Sequence, residues 1–177
     1  MITPTPSAGD GALTHGLFHL AIKTSDLART LAFWTGVIGL RETARPNFGY
    51  AGAWLACGQP GGQAIIHVYA GGPALGSRGV VDSGTAAIDH VSLACTGYHA
   101  YIARFRGAGL DWREFLVPDT TLWQLFVYDP SGVQLELTFQ GTAETGAQPD
   151  MSEGRAYQAG RGFFDPTAYQ ALKGLAP

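Results

Sequence analysis

One pattern occurs twice in this chain, and it constrains the fold more than any other feature. The stretches GLFHLAIKTSDLARTLAFWTGVIGL and AIDHVSLACTGYHAYIARFRGAGL each place a histidine in an apolar run, then a small polar step, then a helical pattern that ends at glycine. His19 and His90 hold equivalent positions, 71 residues apart. This separation is too long for a solenoid repeat and predicts a duplicated half-domain.

The sequence pattern of each half predicts a strand, a helix and three further strands. The first helix should begin near Ser25 or Asp26, both good capping residues, and end at Gly39. Its apolar positions follow helical spacing: Leu27, Leu31, Trp34 and Ile38. The extended stretches are LRETAR, YAGAWLAC and GQAIIHVYA in the first half, and DWREFLVP, TLWQLFVY and GVQLELTF in the second. Both halves are therefore predicted to be βαβββ modules.

The pattern divides the chain into five segments. We predict a flexible leader, a first module, a Gly/Ser-rich linker, a second module and a C-terminal extension, over residues 1–15, 16–70, 71–85, 86–140 and 141–177. The extension is rich in Gly, Ala and polar residues but keeps aromatic residues near its end. It is predicted to be a lid or a packing surface for a second subunit.

Composition excludes several classes of function. The 11 basic residues are scattered and the net charge is −3, so no nucleic-acid footprint is present. No apolar run approaches the roughly 20 residues of a membrane span. The amino-terminal residues lack the pattern of a signal peptide, and the 2 cysteines form no disulfide framework. A cytoplasmic protein that acts on a small molecule is the expectation.

Side chains alternate between the two faces of a strand, and three polar residues share the face that lacks large apolar groups. They are His19, His90 and Glu136. Each taken alone is most simply a hydrogen-bonded core histidine or a glutamate that faces water. The recurrence at equivalent positions favours a metal site instead. Two histidines and one carboxylate form the iron(II) site of non-haem oxygenases, and the same ligands can hold Mn, Ni, Co or Zn.

The motifs FHLAIKTSDLARTLAFWTGVIGLR, IDHVSLA and YDPSGVQLEL resemble the vicinal oxygen chelate superfamily, which includes glyoxalase I, extradiol dioxygenases, and fosfomycin- and bleomycin-resistance proteins. The resemblance runs from Gly16 to Phe139. It implies an α+β fold in which two paired βαβββ modules form an open eight-stranded half-barrel around a metal. It also implies that His19, His90 and Glu136 hold this metal and that the protein is a homodimer.

His67 lies in the fourth strand of the first module, where members of the superfamily often carry a functional residue. Period-two alternation places it on one face with Ile65 and Tyr69. Three roles are open: a general base close to the metal, a fourth metal ligand, or a core residue. We favour the base, because a neutral imidazole beside a cation can take a proton from a bound phenol.

Aromatic residues should line the substrate pocket. The stretch RPNFGYAGAW supplies Arg45, Phe48, Tyr50 and Trp54, and the second module supplies Phe115, Trp123, Phe126 and Tyr128. They suit a flat aromatic substrate, although about half of them should belong to the core. Ring-cleaving members usually carry tyrosine and histidine where this chain has Phe126 and Trp123. Both differences remove polar groups that would bind a catechol.

The leading hypothesis is an iron(II) extradiol-type dioxygenase that takes an aromatic substrate with neighbouring oxygens, together with O2. A glyoxalase- or epimerase-like lyase or isomerase is the first alternative. A resistance protein that sequesters a drug is the second, although such a binder has no need of three intact metal ligands.

Overall fold

The chain folds as two copies of a βαβββ module, in a computed structural model that describes residues 16–59 and 61–174. The first module consists of β1 (Leu20–Lys23), α1 (Leu27–Leu31), β2 (Arg41–Thr43), β3 (Gly52–Ala56) and β4 (Ala64–Tyr69). A short helix, α2 (Gly72–Leu75), lies in the predicted linker. The second module consists of β5 (Val91–Cys95), α3 (Tyr98–Gly107), β6 (Arg113–Leu116), β7 (Leu122–Tyr128) and β8 (Gln134–Gln140). The leader predicted over residues 1–15 lies outside the described residues.

The strands of each module form one mixed sheet. Within the described residues, sheet 1 has the order β1-β4-β3-β2 and sheet 2 the equivalent order β5-β8-β7-β6. In both sheets the first and last strands of the module are parallel neighbours, whereas the other pairs are antiparallel. The sheets do not close on each other, which confirms the predicted α+β fold and the open half-barrel. An apolar cleft, lined in part by Leu20, Ile22, Ile88 and Val91, separates the edge strands β1 and β5.

The first helix begins where the sequence predicts but does not continue as a regular α-helix. The side chain of Asp26 caps it by accepting a hydrogen bond from the backbone N–H of Arg29. A π-helical segment follows over Ala32–Val37, in which Ile38 N–H bonds Phe33 O, five residues back. The wider turn rotates the apolar face, so Phe33 is fully buried while Leu27 and Leu31 are only partly buried.

Both repeated histidines lie one residue before a strand, although the apolar run around each of them predicts a place within the strand. The first ladder pairs are Leu20 with Ile66 and Val91 with Leu135. His19 and His90 therefore sit just outside the paired region, at the entry of each edge strand.

The two modules share one hydrophobic core. Buried residues of both, including Trp34, Leu55, Phe105 and Leu135, belong to a single cluster between the sheets and the helices. Polar contacts also join the modules: Trp34 Nε1 donates to Asp129 Oδ2 at 3.2 Å. The helices therefore cover one face of each sheet, and the opposite face is left for other side chains.

The C-terminal extension packs on its own chain. Its backbone pairs with β6, where Glu114 N–H bonds Arg155 O and Tyr157 N–H bonds Glu114 O, both at 2.9 Å. A 3₁₀ segment, Pro166–Gly174, follows and buries Tyr169 and Leu172 against the first helix. Among the described residues, no helix has the length and hydropathy needed to cross a membrane.

Candidate metal and substrate site

Glu136 and His90 lie side by side on the helix-free face of sheet 2. This face is defined by the cross-strand row of Ser92, Glu136, Phe126 and Arg113. His90 Nε2 is 3.3 Å from Glu136 Oε2. Because β5 and β8 are parallel neighbours, residues 46 positions apart in sequence meet on one face.

Hydrogen bonds fix the outer atoms of this pair. Glu136 Oε1 accepts from Ser92 Oγ at 2.6 Å and from Thr138 Oγ1 at 2.8 Å. His90 Nδ1 lies 2.7 Å from Asp89 Oδ1. Since a carboxylate only accepts, Nδ1 donates the hydrogen of this contact, and Nε2 is the ring nitrogen that faces Glu136. A histidine held by an outer carboxylate in this way is the usual arrangement of metal-ligating histidines, so the pair fits a divalent metal.

His19 lies on the helix-free face of sheet 1, the face of the cross-strand row Ala21, His67 and Trp54. Its ring stacks on His67, with centroids 3.8 Å apart, and His67 stacks on Trp54 at 4.3 Å. His19 Nδ1 is buried and has no hydrogen-bond partner in residues 16–59 and 61–174. In the described part of the chain, no three His, Cys, Asp or Glu side chains form a group that could hold a metal. The structure thus joins two of the three predicted ligands and places the third on the other sheet.

His67 is buried between two rings, with 8% of its surface exposed. Burial lowers the pKa of His67, and the positive charges of His19 and Arg45 lower it further. The imidazole is therefore neutral at pH 7 and can accept a proton from a more acidic group. It is not grouped with His90 and Glu136 in the described structure, so the base and fourth-ligand roles stay predictions.

The predicted pocket residues of the first module cluster around one guanidinium. The carbon Cζ of Arg45 lies 4.8 Å from the ring centres of both Phe48 and Tyr50. Phe48 also contacts Trp54, with ring centres 6.0 Å apart. Arg45 and these three aromatic side chains form a cluster at the helix-free face of sheet 1.

In the second module, the register separates the predicted pocket residues. Phe126 pairs directly with Glu136, and Tyr128 pairs with Gln134, so both rings share the face of the candidate metal ligands. Trp123 pairs with Phe139 and packs on Tyr98 in the core. The placement of Trp123 in the pocket was wrong, because Trp123 lies three positions before Phe126 and residues an odd number of positions apart face opposite sides of a strand.

Tyr157 is a residue of this face that the sequence analysis did not identify. Its ring lies parallel to Phe126, with centroids 3.6 Å apart and planes 5° apart. Gln134 Nε2 donates to Tyr157 Oη at 3.2 Å and to Asp89 Oδ1 at 3.4 Å. The extension therefore reaches the neighbourhood of His90. The only sequence signal was the general aromatic content of the extension, since the contact depends on pairing with β6.

Comparison with protein families gives a match over residues 16–170, to the model described as the Glyoxalase/Bleomycin resistance protein/Dioxygenase superfamily. The chain belongs to this superfamily. The match includes most of the C-terminal extension, which lies beyond the resemblance expected from the sequence motifs. No curated protein matches the chain.

Solved structures of the superfamily share the fold at low sequence identity. FosX, a fosfomycin resistance protein from Listeria monocytogenes, has a TM-score of 0.55 and 16% identity, over 72% of this chain and 94% of that one. Lactoylglutathione lyase from Agrobacterium tumefaciens has a TM-score of 0.53 and 16% identity, over 73% and 96%. TnmS3, an antibiotic binding protein from a Streptomyces species, has a TM-score of 0.51 and 17% identity, over 73% and 98%. A variant of FosX was solved with Mn(II) and a dihydroxypropylphosphonic acid. Identities this low show the fold alone.

Proposed function

We propose that the protein is a metal-dependent oxygenase, an iron(II) extradiol-type dioxygenase acting on an aromatic substrate with two neighbouring oxygens. The observation that carries this proposal is the His90–Glu136 pair. Its facing atoms, Nε2 and Oε2, form no other hydrogen bond with the described residues, while its outer atoms are held by Asp89, Ser92 and Thr138. Such a pair would leave open positions for a substrate.

His19 is the third ligand in this proposal. Its buried Nδ1 lacks a hydrogen-bond partner among the described residues, and burying such a group without a partner costs about 1–3 kcal/mol. When bound, the metal would supply a Lewis acid that orients two substrate oxygens and lowers the pKa of a substrate hydroxyl. His67 then takes the hydroxyl proton at an imidazole nitrogen, since its lowered pKa keeps it neutral and available at pH 7.

Aromatic side chains exclude water and favour a planar ligand. Trp54, Phe48 and Tyr50 flank His67 on sheet 1, and Phe126 lies beside Glu136 on sheet 2. Phe126 has no polar group and Trp123 lies in the core, so neither donates a hydrogen bond to a catechol here, and binding has to depend on the metal ligands and on the other side chains of the pocket. This proposal therefore predicts an aromatic substrate that carries few hydroxyl groups beyond its two neighbouring oxygens.

The test is anaerobic purification with iron(II), metal analysis, and O2 uptake with a panel of catechols. We expect about one metal ion per chain and O2 uptake with at least one catechol. Glu136→Ala should abolish both metal binding and uptake. Glu42→Ala, which removes an exposed glutamate of β2, is the matched control and should change neither.

Other outcomes assign the protein to the alternatives. Stoichiometric zinc or nickel with no O2 uptake from any catechol would overturn the oxygenase and favour the glyoxalase- or epimerase-like lyase or isomerase. No binding of iron, manganese, zinc or nickel would overturn both enzymes and favour a drug-binding protein.

A further inference from the structure

The helix-free faces of the two sheets differ in what covers them. On sheet 2, the chain's own extension lies over the face: Tyr157 stacks on Phe126, and Phe163 packs edge-on against Tyr128 at 4.8 Å. On sheet 1, Phe48 is 48% exposed and Tyr50 is partly exposed. Within the described residues, the aromatic surface that remains accessible is therefore the cluster around Arg45.

Arg45 is held in place from three sides. The rings of Phe48 and Tyr50 lie over its guanidinium at 4.8 Å each. On the third side is Gly52 of β3, where an added Cβ would lie 3.3 Å from Arg45 Nη2. The absence of a side chain at Gly52 lets the guanidinium lie close to the sheet, on the face that carries Trp54 and His67.

The charge of Arg45 has no acidic partner within the described residues. Four other arginines form ion pairs with aspartates: Arg29, Arg78, Arg113 and Arg155. Arg45 forms none with any residue that the structure describes, and among these residues its buried Nε and Nη2 atoms have no hydrogen-bond acceptor. A guanidinium always carries its charge in proteins, so these buried donors favour a ligand that brings acceptors.

The two unpaired nitrogen atoms of the Arg45 guanidinium have the geometry that one class of ligand requires. Nε and Nη2 form one edge of the guanidinium, and their N–H bonds run parallel, as the two oxygens of a carboxylate require for a bidentate pair. The neighbouring rings add a flat apolar surface. A planar aromatic acid satisfies both features, whereas a neutral ring leaves the charge unpaired and an aliphatic anion leaves the rings unused.

We propose that Arg45 binds the carboxylate of an aromatic acid whose ring lies against Phe48, Tyr50 and Trp54, with the exposed Phe48 ring shifting as the ligand enters. This inference deepens the proposed function by naming the substrate class, and for the substrate's role in the reaction it rests on that proposal. The binding itself does not depend on the metal.

Calorimetric titration of the full-length protein tests the proposal with three probes: 2-hydroxybenzoate, its neutral analogue 2-hydroxybenzamide, and propylphosphonate. We expect the acid to bind at least 10-fold more tightly than the amide and than the phosphonate. Arg45→Gln should remove the preference for the acid, and Arg45→Lys should retain part of it, because lysine keeps the charge but loses the bidentate edge. Arg41→Gln, an exposed arginine of β2, is the matched control and should bind as the wild type does.

Glu136→Ala separates this inference from the proposed function. If Arg45 binds the acid, the preference persists in Glu136→Ala, even where that variant holds no metal. A preference that is lost in Glu136→Ala but kept in Arg45→Gln would place the carboxylate at the metal and overturn the role of Arg45. Equal affinity for the acid and the amide, tighter binding of the phosphonate, or no binding of any probe would also overturn it.

Discussion

At His90, the two ring nitrogens have different neighbours, and this difference decides what the residue can do. Nδ1 donates to Asp89, while Nε2 faces Glu136. At His67 the controlling feature is burial between His19 and Trp54, which keeps the ring neutral. The neighbours of each ring therefore suit the two histidines to different roles: His90 to that of a metal ligand and His67 to that of a base.

Asp89 provides a test of this arrangement. Asp89→Asn replaces the carboxylate that fixes the ring of His90, and loss of such an outer partner typically weakens metal affinity by about 10- to 100-fold. Titration with Mn(II) or Co(II) would measure the change. Asp82→Asn, in an exposed aspartate that pairs with Arg78, is the control. Unchanged affinity in Asp89→Asn would contradict the assignment of His90 as a ligand.

The buried carboxyl group of Asp129 should make the stability of the folded protein depend on pH. It is fully buried in the turn between β7 and β8, and burial raises its pKa to about 6 despite hydrogen bonds from Val133, Ser131 and Trp34. Because the native state binds this proton more tightly than the unfolded chain does, the protonated carboxyl group of Asp129 adds to the free energy of unfolding. This added stability is fully present below about pH 4 and is lost as the pH rises through about 6. The loss amounts to about 3 kcal/mol.

Urea denaturation of the wild type and Asp129→Asn from pH 4 to pH 8 would measure this contribution. The difference in unfolding free energy between the two proteins should change over this window, since the variant has no group to titrate at this position. Asp82→Asn should reproduce the wild-type curve. Parallel curves for the wild type and Asp129→Asn would show that Asp129 does not titrate here.

Among the elements, the C-terminal extension is fixed to the second module by a buried anchor, the side chain of Glu114. Glu114 of β6 accepts hydrogen bonds from Tyr98 Oη at 2.6 Å, Trp112 Nε1 at 3.0 Å and the backbone N–H of Asp150 at 2.9 Å. Burial raises the pKa of Tyr98, which keeps its hydroxyl protonated as a donor. Glu144 of the extension also accepts from the first backbone N–H groups of α3.

Removing this anchor should loosen the extension. Glu114→Ala leaves three donors without their acceptor, and we expect a loss of about 2–4 kcal/mol in unfolding free energy. Trypsin should then cleave after Arg155 and Arg161 at least ten times faster than in the wild type. Limited proteolysis with mass spectrometry would follow both sites, with Glu42→Ala as the control. Unchanged cleavage would mean that other contacts hold the extension.

For the whole molecule, the central fact is that one chain joins His90 to Glu136 but places His19 on the other sheet, beside His67. The superfamily resemblance predicts a homodimer. In a homodimer, the second copy would supply the His19 that one chain does not bring to its own His90–Glu136 pair. We therefore expect the complete site to contain residues of two chains.

Mixed dimers test this expectation. His19→Ala and Glu136→Ala should each bind no metal as homodimers. If the site is shared, a dimer of one chain of each variant contains one site with all three ligands, and it should recover half of the wild-type metal content. Differently tagged chains, purified as heterodimers and analysed for metal, give the measurement. No recovery in the heterodimer would place all three ligands within one chain.

The sequence by itself determined the duplicated βαβββ modules, the helix start at Asp26 and the alternation that separates Glu136 from the core, because these depend on local periodicity and capping. Tertiary structure alone decided the rest. The π-helical turn at Ala32–Val37 rotated the buried face, and the strand register moved Trp123 into the core. The approach of Tyr157 to Phe126 depends on hydrogen bonds between segments about 40 residues apart in sequence, which leave no periodic signal in either segment.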